Sequence, residues 1–93
     1  LKILLLDLNN EIRNRILLSV YAFAYEIEHE SMVSDYEYDL LASKIDVNVS
    51  TNNKILDEFF RECYTPDSGM WITKHPELDK VNRLYQFITN VRK

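Results

Sequence analysis

Asp35, Tyr36, Glu37, Tyr38 and Asp39 stand in succession at the head of "SDYEYDLLASKI", with Tyr25 and Glu26 a short way upstream. Phenol rings present an electron-rich face to a cation, and carboxylates supply the opposite charge. Such a set therefore suits a flat, positively charged group, where ring–cation attraction is worth about 0.5–2 kcal/mol. The same residues also obey helix-start rules. Ser34 lies three positions before Glu37, the spacing of a capping box, and Asp35 in a first turn gains about 0.3–1 kcal/mol from the helix dipole. Two readings stay open: a binding surface for a cation, or a capped helix whose tyrosines pack a seam.

Other chemistry-bearing residues are isolated. His29 and His75 have no spaced histidine or cysteine companion, so no metal site is expected. Cys63 is the only cysteine and falls at a core position of its segment, which excludes an internal disulfide and fits a reducing compartment. Trp71 follows a glycine-containing turn and reads either as a core plug or as an exposed aromatic anchor for a partner. No nucleophile with an adjacent base can be assembled from the sequence, so a non-catalytic protein is expected.

The elements that must position these groups are mainly helical. Ile12, Ile16, Val20, Phe23, Ala24 and Ile27 recur at spacings of three and four, predicting a helix over about 10–29. A second helix is predicted from Ser34 to about Ile45, burying part of Tyr38 with Leu41 and Ile45. A third begins near residues 50–52 and turns Ile55, Leu56, Phe59, Phe60 and Cys63 inward. "YTPDSGMW" is a loop rich in turn formers. The last helix starts around Pro76, a favoured first position, and presents Leu78, Val81, Leu84, Tyr85, Ile88 and Val91. The run "LKILLL" is too short to separate strand from helix. If extended, it would pair with Met70–Ile72 in one minor two-stranded ribbon, residues 2–6 against 70–72. The expected fold is a compact, mainly α bundle of about four helices forming a single domain over 1–93.

Composition narrows the partners. The chain has 93 residues, 46% hydrophobic and 28% charged, with a net charge of −4. That balance fits a soluble globular domain, and it disfavours direct nucleic-acid binding, which rests on Lys and Arg neutralising phosphates. No apolar run approaches the roughly 20 residues that span a bilayer, and the opening segment lacks a signal peptide's cleavage site. A cytoplasmic location is expected.

"DYEYDLL", taken with Tyr25, resembles the N-terminal helical domain of NAD-dependent bacterial DNA ligases, which recognises the nicotinamide mononucleotide half of NAD. The likeness spans about residues 20–45, with Asp35, Glu37, Tyr38, Asp39 and Leu41 matching the family's Asp-x-Glu-Tyr-Asp-x-Leu helix start. It implies Tyr25 and Tyr38 as a stacking pair around the nicotinamide ring, and Asp35 and Asp39 as polar contacts. Glu26 departs from the family, which carries a histidine there suited to the nucleotide's phosphate; a carboxylate would repel it. "SKIDV" has the Lys-x-Asp spacing of an adenylation motif, but Val47 replaces its glycine, so ligase activity is not expected.

The reading drawn from all this is a protein-interaction module. Its acidic, tyrosine-rich face, comprising Tyr25, Glu26, Asp35, Tyr36, Tyr38 and Asp39 with Trp71 as an anchor, would dock on a basic protein partner. A phage or mobile-element accessory protein that inhibits a nucleic-acid-handling host or defence complex is the form this reading takes. NAD or nicotinamide mononucleotide as a bound ligand is the alternative, and an enzyme acting on such a nucleotide the third.

Overall fold

A computed structural model describes residues 2–92, with side chains from residue 8 to residue 91. Four α-helices and one short 3-10 helix follow one another: α1 Lys2–Glu26, α2 Asp35–Ala42, α3 Lys54–Cys63, the 3-10 helix Met70–Lys74, and α4 Leu78–Arg92. No helix among the described residues is long and apolar enough to cross a membrane.

α1 is the axis of the bundle. It packs against α2, the 3-10 helix and α4, so its second half is buried nearly all round. Leu18, Val20, Ala22, Phe23 and Ala24 are all 5% exposed or less. A helix enclosed on several sides cannot show a one-sided apolar stripe, and the predicted stripe is only partly inward: Ile16 and Ile27 are 46% and 37% exposed. The helix stops at Glu26, three residues short of the expected end. There the chain turns through His29 in the left-handed region (φ 57°), and the Glu30 N–H donates back to the Ala24 carbonyl at 2.8 Å.

α2 opens as its sequence requires. The Ser34 hydroxyl accepts from the Glu37 N–H at 3.1 Å, and the Glu37 carboxylate accepts from the Ser34 N–H at 3.4 Å. It ends at Ala42, earlier than expected. The Tyr64 hydroxyl then donates to the Ala42 carbonyl at 2.9 Å, which ties the end of α2 to the end of α3.

Between α3 and the 3-10 helix the core is aromatic. Trp71 meets Phe60 at 5.5 Å, Phe59 at 6.1 Å and Tyr64 at 5.2 Å between ring centroids, all in inclined geometries that aromatic quadrupoles favour. On the far side Phe23 meets Tyr85 of α4 at 5.5 Å. This cluster is why the minor ribbon is absent among the described residues. Met70–Lys74 coils into a 3-10 turn that buries Trp71 and Ile72, and the backbone of residues 2–6 continues into α1. A helix satisfies its own backbone groups, so neither segment needs a partner strand.

One polar cluster lies inside the apolar frame. Arg15, 4% exposed, donates Nε–H to Glu11 at 2.6 Å and Nη1–H to Asp57 at 2.9 Å. Its Nη2 donates to the carbonyls of Asp46 and Val49 at 2.8 and 3.0 Å. The guanidinium thereby fastens the irregular segment after α2, and α3, onto α1. Burial alone would raise Asp57. Hydrogen bonds from the Thr51 hydroxyl and N–H, together with Arg15, outweigh it and hold the carboxyl below its ordinary range.

Candidate functional site

α1, α2 and the 66–69 loop enclose a pocket of about 250 Å³. Tyr25 and Glu26 reach it from the last turn of α1; Asp35, Tyr38 and Asp39 reach it from α2. The i, i+3, i+4 spacing of those three α2 residues sets them on one side of the helix. Five of the seven residues singled out from the sequence therefore share one cavity.

The other two do not. Tyr36 sits about 100° around α2 from Asp35 and is 74% exposed on the outer face, apart from the pocket lining. Trp71 is 4% exposed. It is a core residue of the aromatic cluster and not a surface anchor, because the 3-10 turn folds its ring inward.

The electrostatics of the pocket are one-sided. Glu26, Asp35 and Asp39 are joined by Asp67 of the loop, and among the described residues no lysine, arginine or histidine is in the lining. Tyr25 is 57% exposed, its ring available to a ligand, whereas Tyr38 is half-buried. The Tyr38 hydroxyl is hidden from solvent beside the Trp71 indole N–H, and neither atom reaches hydrogen-bond geometry with a partner among the described residues. Burial raises the Tyr38 phenol; the neighbouring indole N–H opposes this without cancelling it, and the Glu26 and Asp39 charges add smaller contributions to the rise. Tyr38 therefore offers the pocket a neutral ring, with its polar tip turned to the core.

Gly69 explains how the loop comes so close. It is buried, and a Cβ there would stand 3.4 Å from the Ala22 Cβ and 3.4 Å from Glu26 Cγ and Oε1. Its φ of −98° suits any residue, so the glycine serves close approach and not an unusual backbone.

Several contributors were not foreseen. Tyr21 lines the pocket one helical turn before Tyr25, and its i, i+4 spacing was the available signal. Asp67 stands in a run of turn formers, and nothing local marks it as part of the pocket lining. Among the described residues no three His, Cys, Asp or Glu side chains are placed to hold a metal ion. Comparisons with protein-family models, with curated proteins and with solved structures each return no match.

Proposed function

We propose that this chain is a non-catalytic interaction module whose acidic pocket receives a basic side chain from a protein partner. The observation that carries this reading is the pocket lining: four carboxylates and three tyrosines, with no cation in that lining among the described residues. Carboxylates gathered on one face set up a negative potential, and an incoming arginine or lysine supplies the complementary charge. A protein that handles nucleic acid presents such basic groups, and an acidic face competes for them by imitating a phosphate backbone. A phage or mobile-element inhibitor of such a host or defence complex is the biological form this chemistry favours.

Nicotinamide nucleotide binding, the function implied by the ligase resemblance, is a second reading. Tyr25, Tyr38, Asp35 and Asp39 lining one cavity favours it. Glu26 and Asp67 weigh against it, since their carboxylates would repel the nucleotide's phosphate.

Titration calorimetry with an arginine-rich peptide, its citrulline counterpart and nicotinamide mononucleotide separates the two. The interaction reading expects heat from the arginine peptide alone, reduced by salt and lost in Asp39→Lys/Asp67→Lys. Asp35 is the poorer position to reverse, because a lysine in the first turn of α2 would also oppose the helix dipole. Heat from the nucleotide with none from the peptide would replace the first reading with the second.

A further inference from the structure

A second cavity, larger and of opposite character, lies on another side of α1. It holds about 450 Å³ between α1, α3 and α4, within the range of about 300–1,000 Å³ typical of small-molecule sites. Ile12, Ile16 and Val20 form one wall, Leu56 and Phe60 the second, Val81 and Leu84 the third. It shares no lining residue with the acidic pocket.

The charges at this cleft are already paired. Arg15 is held by Glu11 and Asp57, and Lys80 meets Glu77 at 2.6 Å. What remains is a pair of hydrogen-bond donors. The Glu77 N–H donates to His75 Nδ1 at 2.9 Å, which assigns the proton of the neutral ring to Nε2. The Leu56 N–H donates to Asn53 Oδ1 at 3.2 Å, which leaves the Asn53 amide NH2 without a protein acceptor among the described residues. Burial also lowers His75 below the ordinary histidine range, against the weaker pull of Glu77.

We infer that the cleft between α1, α3 and α4 is a binding site for an uncharged, largely apolar small molecule carrying one hydrogen-bond acceptor, such as a carbonyl. An anion would meet Glu77 and a cation would compete with Lys80 for it, so a net charge gains nothing here. The apolar walls take the body of the molecule, and the His75 Nε2–H is the donor offered to its oxygen, with the exposed Asn53 amide a second donor in the lining. This site is independent of the acidic pocket and of the function proposed for it.

The test uses the neutral naphthyl ketone dye 6-propionyl-2-(dimethylamino)naphthalene and the full chain. Trp71, the only tryptophan, packs 5.5 Å from Phe60, which lines the cleft. The expected result is saturable one-to-one uptake with blue-shifted emission and a matching fall in tryptophan emission. Leu84→Phe, which fills the cleft from its rim, should abolish uptake. His75→Phe keeps the ring and removes the donor, and should weaken the ketone roughly tenfold while leaving the corresponding hydrocarbon unaffected. The proposal is overturned by uptake that does not saturate below about 1 mM, by uptake unchanged in the folded Leu84→Phe variant, or by equal uptake of a sulfonated dye. It is overturned too if the dye is displaced as the protein self-associates, since the occupant is then a second copy.

Discussion

The two cavities flanking α1 are built by opposite rules. In the acidic pocket four carboxylates stand without a cation in the lining among the described residues. In the apolar cleft every charge in the lining, whether Arg15, Lys80 or Glu77, is already engaged in an ion pair. Buried charge is tolerated only when paired, while exposed charge can wait for a partner. Arg15 and Asp57, each under 5% exposed, follow the first rule; Asp35 and Asp39, both exposed, follow the second. The difference teaches which charges hold the fold and which are free to bind.

The largest expected effect comes from breaking that division at Arg15. Arg15→Met leaves Glu11 and Asp57 buried without a counter-ion and frees the segment around Asp46 and Val49. Removing one partner of a buried pair costs about 3–5 kcal/mol, a large share of the roughly 5–15 kcal/mol that holds a small domain. Urea denaturation should show this loss. Asp39→Asn in the acidic pocket should change stability by less than about 0.5 kcal/mol, as surface substitutions do. Equal effects at the two sites would erase the distinction.

Acid sharpens the same contrast. Asp57 is held below its ordinary value in the fold, so the folded state binds its proton less readily than the unfolded chain. The stability it contributes is present above the unfolded carboxyl value of about 3.9 and is lost as pH falls from there through the lower folded value. His75, also lowered, acts in the same direction at higher pH. Its neutral form favours the fold, and stability declines as pH falls through the unfolded histidine value of about 6.5. The melting temperature should therefore drop in two steps. His75→Phe should remove the upper step and Asp57→Asn, though destabilised overall, should shrink the lower, to which Glu77, held low by Lys80, also contributes.

The sequence announced the exposed half of this comparison better than the buried half. Ser34 and Glu37 form their capping box because that motif is local. The Asp35–Tyr38–Asp39 face is likewise set by helical spacing alone. Arg15 with Asp57 is a contact across 42 positions, and no local pattern distinguishes a buried arginine from a solvated one. Glu11 falls among polar residues and by itself marks nothing buried. Its place four residues before Arg15 was the one visible hint of a pair, and α1 starts earlier than expected because "LKILLL" carries no signal that separates the periods. Trp71 has no local signal for the same reason: its burial depends on Phe59, Phe60 and Tyr64 arriving from α3 and its C-terminal end.

A smaller effect tests what keeps the acidic pocket open. In Gly69→Ala the new methyl would sit 3.4 Å from Ala22 and from the Glu26 carboxylate, at the edge of van der Waals contact. With φ at −98° the backbone accepts alanine. Reducing the freedom of the unfolded chain should offset the crowding, leaving stability within about 1 kcal/mol of the parent. Gly69→Val cannot fit without moving Glu26, so affinity for the arginine-rich peptide should fall from glycine through alanine to valine while melting temperatures change less. Retained affinity in Gly69→Val would remove Glu26 from the binding set.

The smallest effect expected is at Tyr38, and its sign is informative. A buried hydroxyl with no hydrogen-bond partner carries a desolvation cost that nothing returns, whereas a phenyl ring of the same shape does not. Tyr38→Phe should therefore leave stability unchanged or raise it slightly, even though half of the side chain is buried. The ring that lines the pocket is kept, so peptide affinity should persist if Tyr38 acts through its face. A clear loss of stability would mean that the hydroxyl and the Trp71 indole N–H do bond in solution. A loss of binding at unchanged stability would instead assign the polar tip to the ligand, and with it a pocket that opens deeper toward Trp71 when occupied.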